Sequence, residues 1–212
     1  MSDVTKAIII TSYLENDFNM KNAVTDGDYV ICTDGGYDIA LEEGITPNIL
    51  IGDLDSINSK IPEHLPVLRF NPVKDYTDLQ LSLDHAVSKG ADTVEIWGGI
   101  GGRLDQTVAN LQLLSRYSKE FSSLLLRDGA NEAKVLSPDR ETYITPREGW
   151  YFSLFSLSGE STGVTIRNAA YELEGSTLTS DFPLGVSNEF TKNKNAVISY
   201  ESGTLLLILS RK

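Results

Sequence analysis

The chain of 212 residues reads as an α/β protein: a mostly parallel sheet flanked by helices, followed by an all-β sandwich or barrel. Two observations predict this. Up to Gly129, short apolar runs alternate with segments of helical periodicity. From Glu132 onward there is no helical pattern, and strand-like runs are separated by Gly, Ser, Thr and Pro. The change falls within Arg127–Asn131, which predicts domains over 1–129 and 130–212.

Ala7–Thr11 and Tyr29–Thr33 read as buried strands. Tyr37–Glu43 reads as a helix stopped by Gly44, and Ile49–Ile51 as a third strand. Val67–Phe70 is a short extended piece between prolines. Leu79, Leu83, Ala86 and Val87 share one helical face, and Gly90 ends that helix. Thr93–Trp97 is a strand. Leu104, Val108, Leu111 and Ser115 line one face of the next helix, and Ser123–Leu126 is a strand. In the second part Ala133–Leu136, Glu141–Ile144, Tyr151–Leu157, Gly163–Ile166, Asn195–Tyr200 and Thr204–Leu209 are the expected strands.

Net charge narrows the function. With 18 basic and 30 acidic residues the chain carries −12, which argues against a nucleic-acid binder. A phosphorylated substrate would also meet a repulsive average field, so its site needs local cations and aimed N–H groups. The single cysteine, Cys32, lies in the apolar run Tyr29-Val30-Ile31-Cys32 and reads as a small buried hydrophobe. No signal peptide or membrane-length run is visible, so the expectation is a cytoplasmic protein without membrane contact. His64 and His85 lack partners of a triad or zinc type and read as structural or solvated.

Four clusters carry possible chemistry. Gly52-Asp53-Leu54-Asp55-Ser56 ends an apolar run. In an extended chain Asp53 and Asp55 project to one side, where a hard divalent cation such as Mg²⁺ would offset their repulsion. The alternative is a polar turn. Lys74-Asp75-Tyr76-Thr77-Asp78 precedes a helix. Asp75 can be its N-cap with Asp78 as capping-box partner. The functional alternative makes Asp75 and Asp78 oxygen ligands, Thr77 a phosphate donor and Lys74 a countercharge. Gly98-Gly99-Ile100-Gly101-Gly102-Arg103-Leu104-Asp105-Gln106 joins a strand to a helix, the setting of a phosphate-cradling loop. It is neither a dinucleotide fingerprint nor a Walker A loop. Gly101 and Gly102 allow close approach, and Arg103 supplies a fork of donors. Asp34-Gly35-Gly36 follows the second strand. Parallel strands ending at Thr33, Ile51 and Trp97 would bring Asp34, Asp53, Asp55 and the glycine loop to one rim, where open α/β sheets bind ligands. Such a rim suits phosphoryl-type transfer from a nucleotide, a reaction of positioning and charge neutralisation.

Taken in order, Asp34-Gly-Gly, Gly52-Asp-Leu-Asp-Ser56, Lys74-Asp-x-Thr-Asp78, Gly101-Gly-Arg-Leu-Asp-Gln106 and Ser187-Asn188-Glu189 resemble the signature of the thiamin pyrophosphokinase family. The resemblance implies transfer of the pyrophosphoryl group of ATP to the hydroxyl of thiamin, giving thiamin diphosphate and AMP. It implies that Asp53, Asp55 and Asp78 hold Mg²⁺ and the triphosphate, and that Thr77 and Arg103 contact phosphates. Asp105 would lie by the attacking hydroxyl, while Gln106, Ser187 and Asn188 position thiamin. It further implies a homodimer with composite sites. Gln106 departs from the His of many relatives, as does Arg167-Asn168-Ala169-Ala170 from a Gly-Leu-Lys-like run; both bear on the acceptor side. Two other readings compete: a pyrophosphokinase for another hydroxylated heterocycle such as a pterin, and a non-catalytic nucleotide or thiamin-phosphate binding module.

Overall fold

The structure is a computed structural model that describes residues 4–14, 18–70 and 76–212. The chain divides into two compact units, Met1–Gly129 and Ala130–Lys212.

In the first unit the strands are β1 (Lys6–Ile10), β2 (Tyr29–Thr33), β3 (Ile49–Gly52), β4 (Val67–Arg69), β5 (Thr93–Trp97) and β6 (Ser123–Arg127). The helices are α1 (Met20–Ala23), α2 (Gly36–Glu42), α3 (Asp78–Ser88) and α4 (Leu104–Tyr117). The strands run parallel in the order β6-β5-β1-β2-β3-β4. The runs Ala7–Ile10, Val30–Cys32 and Ile49–Ile51 are apolar without alternation because both faces of each strand are buried, as parallel sheets require. On one face Ile8, Ile10, Val30, Cys32, Leu50 and Trp97 form a core with Tyr37 and Ala40 of α2. Gly36 lets α2 sit close to the sheet, since a Cβ there would lie 2.2 Å from the Ile10 carbonyl oxygen. Edge strand β4 is exposed. Strands β1 to β4 step outward on one side, and β5 returns to the other side of β1. The strand order therefore reverses between β1 and β5, where open sheets form a crevice at their carboxyl ends.

Two expected helix faces change. On α3, Leu79, Leu83 and Ala86 are buried, but Val87 is exposed and Ser82 takes its place inside. On α4 the expected stripe is the wrong one. Leu104 is 76% exposed and Val108 47%, whereas Asn110, Leu113, Leu114 and Tyr117 are buried. A count of apolar residues passes over Asn110, whose amide faces inward to reach a backbone carbonyl.

The second unit holds β7 (Asn131–Val135), β8 (Thr142–Ile144), β9 (Trp150–Ser156), β10 (Glu160–Arg167), β11 (Leu173–Thr179), β12 (Gly185–Glu189), β13 (Ala196–Ser199) and β14 (Leu205–Arg211). Two antiparallel sheets, β12-β9-β14-β7 and β11-β10-β13-β8, bury one core. Phe152, Leu154, Leu205, Leu207 and Leu209 come from the first sheet, and Ile144, Val164, Ile166, Leu178 and Ile198 from the second. This is the predicted sandwich. Strands β11 and β12 were not expected. Both are edge strands, and sequences such as Gly185-Val-Ser-Asn-Glu189 lack an apolar face. Among the described residues no helix is long and apolar enough to cross a membrane.

Candidate active site

The carboxyl rim of the parallel sheet is a continuous chain of contacts. The loop after β3 is bound to the loop after β2: the Leu54 N–H donates to Asp34 Oδ1 (3.0 Å), and the Gly35 N–H donates to Ser56 Oγ (3.1 Å). Asp38 of α2 holds the same β3 loop by accepting the N–H groups of Asn58 (2.8 Å) and Ser59 (2.9 Å). A Cβ on Gly35 would touch Ser12 Cβ at 3.4 Å, which joins the β2 and β1 loops. Across the reversal point, the Gly99 N–H donates to the Tyr13 carbonyl at 2.7 Å.

At one end of this rim lies an acidic corner. Asp34 is 8% exposed, and its backbone is strained, with φ +38°; Leu54 has φ +70°. Gly52 is required here, because a Cβ would lie 1.8 Å from Asp34 Oδ1. The Asp34 carboxyl is pushed up to about 7. Burial is the main cause, followed by a hydrogen bond with Asp78; the charges of Asp78 and Asp53 add to this and the Leu54 N–H opposes it. Asp55 is raised chiefly by the charge of Asp53, with a smaller push from Asp78. Thus Asp34, Asp53, Asp55 and Asp78 interact as one group of acidic oxygens. Such oxygens suit a hard divalent cation, although among the described residues no three His, Cys, Asp or Glu side chains enclose a metal position. Asp78 opens α3, and the cap of that helix is Thr77, its Oγ1 accepting the Gln80 N–H at 3.1 Å. The Thr77 hydroxyl proton remains a donor. Lys74 and Asp75 lie outside the described residues.

At the other end is the glycine loop, with φ of +83°, +75°, +88° and +58° at Gly98, Gly99, Gly101 and Gly102. Several of its polar groups are already engaged. The Gly98 N–H donates to the Arg127 carbonyl (2.9 Å), the Gly101 N–H to Thr107 Oγ1 (3.1 Å), and Asn110 Nδ2 to the Gly99 carbonyl (2.8 Å). The loop is therefore not a nest with every amide aimed at a phosphate. Arg103 does not reach outward either: its fork closes on Asp105, Nε to Oδ1 at 3.1 Å and Nη2 to Oδ2 at 2.6 Å. That bond is the main reason the Asp105 carboxyl lies below the usual range. Both side chains are well exposed, so water screens the pair and it exchanges readily. Gln106 is exposed beside them, its N–H on Asp105 Oδ1.

In the second unit, Ser187 and Asn188 lie on β12. Ser187 is exposed with φ +57°, and its N–H donates to Ser153 Oγ at 3.0 Å. Asn188 is buried, and its amide clamps the backbone of Tyr171: Nδ2 donates to the Tyr171 carbonyl (2.7 Å) and Oδ1 accepts the Tyr171 N–H (3.0 Å). The side chain that this clamp presents is Tyr171, which is 66% exposed. Sequence reasoning passed over Tyr13, Asp38, Thr107, Asn110 and Tyr171. Among these only the exposed aromatics carry a local signal; the others act through backbone that is distant in sequence.

Residues 20–126 match the thiamin pyrophosphokinase catalytic domain, and residues 138–205 match the vitamin B1 binding domain of thiamin pyrophosphokinase. The chain belongs to the thiamin pyrophosphokinase family. It is 31% identical to the thiamine pyrophosphokinase of Bacillus subtilis over 185 residues, 85% of this chain and 86% of that protein. The crystal structure of thiamine pyrophosphokinase from Bacillus subtilis superposes with a TM-score of 0.88 at 29% identity, covering 98% of this chain and 99% of that one. The thiamin pyrophosphokinase structure from Geobacillus thermodenitrificans shares the fold, with a TM-score of 0.84 at 24% identity over 98% of both chains. The acidic corner, the glycine loop and all of α4 fall within the catalytic-domain match; Tyr171 and β12 fall within the vitamin-binding match.

Proposed function

We propose that the chain is a thiamine diphosphokinase that transfers the pyrophosphoryl group of ATP to the hydroxyl of thiamin, giving thiamin diphosphate and AMP. The thiamin hydroxyl oxygen bonds to the β-phosphorus, and the bond from that phosphorus to the α–β bridging oxygen breaks. The observation that carries this reading is the acidic corner and the glycine loop on one sheet rim, in a chain that matches both domains of the family.

Asp53, Asp55 and Asp78 would hold Mg²⁺, with Asp34 behind them. Held by those carboxylates, Mg²⁺ would offset the charge of the triphosphate and supply Lewis-acid polarisation of its phosphorus. Lys74 and Asp75 are assigned to the same phosphate region. The Thr77 hydroxyl and the fork of Arg103 donate to phosphate oxygens, and Gly101 and Gly102 let the chain approach closely. When Arg103 turns to phosphate it releases Asp105, whose carboxylate takes the hydrogen bond of the attacking hydroxyl. Gln106, Ser187 and the Asn188–Tyr171 clamp form the thiamin side. The acidic rim favours a thiazolium cation.

The working form is a homodimer with composite sites. Exposed Leu104 and Val108 on α4, and Phe182, Leu184 and Val186 in the second unit, support this reading by offering apolar surface for a partner. We place the enzyme in the cytoplasm, where ATP is available and a free thiol such as buried Cys32 persists. A net charge of −12 disfavours nucleic acid as a partner.

Incubation with Mg²⁺-ATP and thiamin, with a pterin alcohol in parallel, tests the proposal. AMP and thiamin diphosphate are expected with thiamin. ADP would place the attack on the γ-phosphorus and overturn the assignment. Turnover with the pterin alone would change the acceptor, and nucleotide binding without product would leave a binding module.

A further inference from the structure

Building on the phosphoryl-transfer reading, we propose that Thr107 and Asn110 are positioning residues that fix the backbone of the glycine loop, and with it the segment from which Arg103 projects, before substrate arrives. The four glycines at positive φ lie outside every strand and helix, and glycine loses more conformational freedom than any other residue when fixed. The Arg127 and Tyr13 carbonyls hold the N–H groups of Gly98 and Gly99, and α4 supplies the side-chain bonds to the rest of the loop. Asn110 lies three residues beyond Thr107, so both face the loop from one side of the helix. Asn110 Nδ2 donates to the Gly99 carbonyl at 2.8 Å. Thr107 Oγ1 accepts the Gly101 N–H at 3.1 Å, and its own proton faces the Gly101 carbonyl at 3.3 Å. The opposite wall is Tyr13, whose ring would lie 2.8 Å from a Cβ on Gly102. Asn110 is 6% exposed, a position that packing alone would give to Leu or Ala, since a buried amide is unfavourable unless bonded. Leu113, Leu114 and Tyr117 anchor α4 by burial, so the loop is tied to a rigid element.

Thr107→Val keeps the shape and removes the hydroxyl; Thr107→Ser keeps the hydroxyl. The valine protein is expected to lose ~10-fold in kcat with KM for ATP within ~2-fold, the pattern of an interaction needed for transition-state geometry, and serine to restore most of it. Amide hydrogen exchange at Gly101, read by NMR without substrate, should accelerate in the valine protein and stay slow in the serine protein. A valine protein with unimpaired kcat, or equal loss in both variants, overturns the proposal. If the unmutated protein makes no AMP, the phosphoryl-transfer reading fails by itself. Gly101 exchange then decides the clamp: unchanged exchange in the valine protein overturns it.

Discussion

The acidic corner and the glycine loop share one sheet rim but are built on opposite principles. In the corner, Asp34, Asp53, Asp55 and Asp78 crowd their negative charge, with strained backbone at Asp34 and Leu54. In the loop, charges and amides are matched: Arg103 with Asp105, Gly101 with Thr107, Gly99 with Asn110 and Tyr13. Under the proposed function, one half of the site would be completed by a cation and the phosphates it carries. The other is shaped in advance and needs only one exposed ion pair to exchange. Such a division would suit a reaction governed by positioning and charge, because the acidic half would attract the cation that carries the phosphates and the ordered half would align them.

The largest expected effect comes from relieving the corner. Asp53→Asn or Asp55→Asn should lower turnover by at least ~10²-fold, the scale of losing an electrostatic stabiliser. The same changes should leave the metal-free thermal midpoint unchanged or raise it, because like charges are removed. Near-normal turnover in both variants would make the corner a polar turn. Next comes the loop. Arg103→Lys should lower turnover by ~10-fold despite conserving charge, because a lysine cannot make the two-pronged contact that Arg103 makes with Asp105 and would make with phosphate. Equal rates would show that a point charge suffices.

The last effect is on stability and not on turnover. The Asp34 carboxyl titrates near about 7 in the folded protein, against about 4 for an unfolded aspartate. Below about pH 4 both states hold the proton, and stability is greatest. Between about pH 4 and about pH 7 the unfolded chain ionises first, so the metal-free fold loses stability as pH rises, and the loss levels off above that window. Asp34→Asn should flatten this slope in thermal melts with chelator present. A slope that survives the substitution would place its origin outside the corner.

Strands Tyr29–Thr33 and Thr93–Trp97 have the bounds that the sequence predicts, because each is a short run rich in β-branched and aromatic residues between polar or glycine neighbours. The gathering of Asp34, Asp53 and Asp55 was legible too, since parallel strands deliver the residues after their carboxyl ends to one rim. The buried face of α4 was not: Asn110 belongs inside only because a glycine loop eleven residues earlier needs a donor. The cap of α3 was misread, since Asp75 and Thr77 are both good cap residues and only the placement of the helix start selects Thr77. Asn188 reads as a ligand contact, yet its amide is engaged by the Tyr171 backbone seventeen residues away.

The sequence by itself determined the element types, the order of α/β before β, and the residue types that meet at the rim. These follow from periodicity and from where strands end, which are local properties. The tertiary structure alone decided which polar groups remain available to a ligand. A donor or acceptor is free or engaged according to what the fold brings within about 3 Å of it, and that distance is set by packing between segments far apart in the chain.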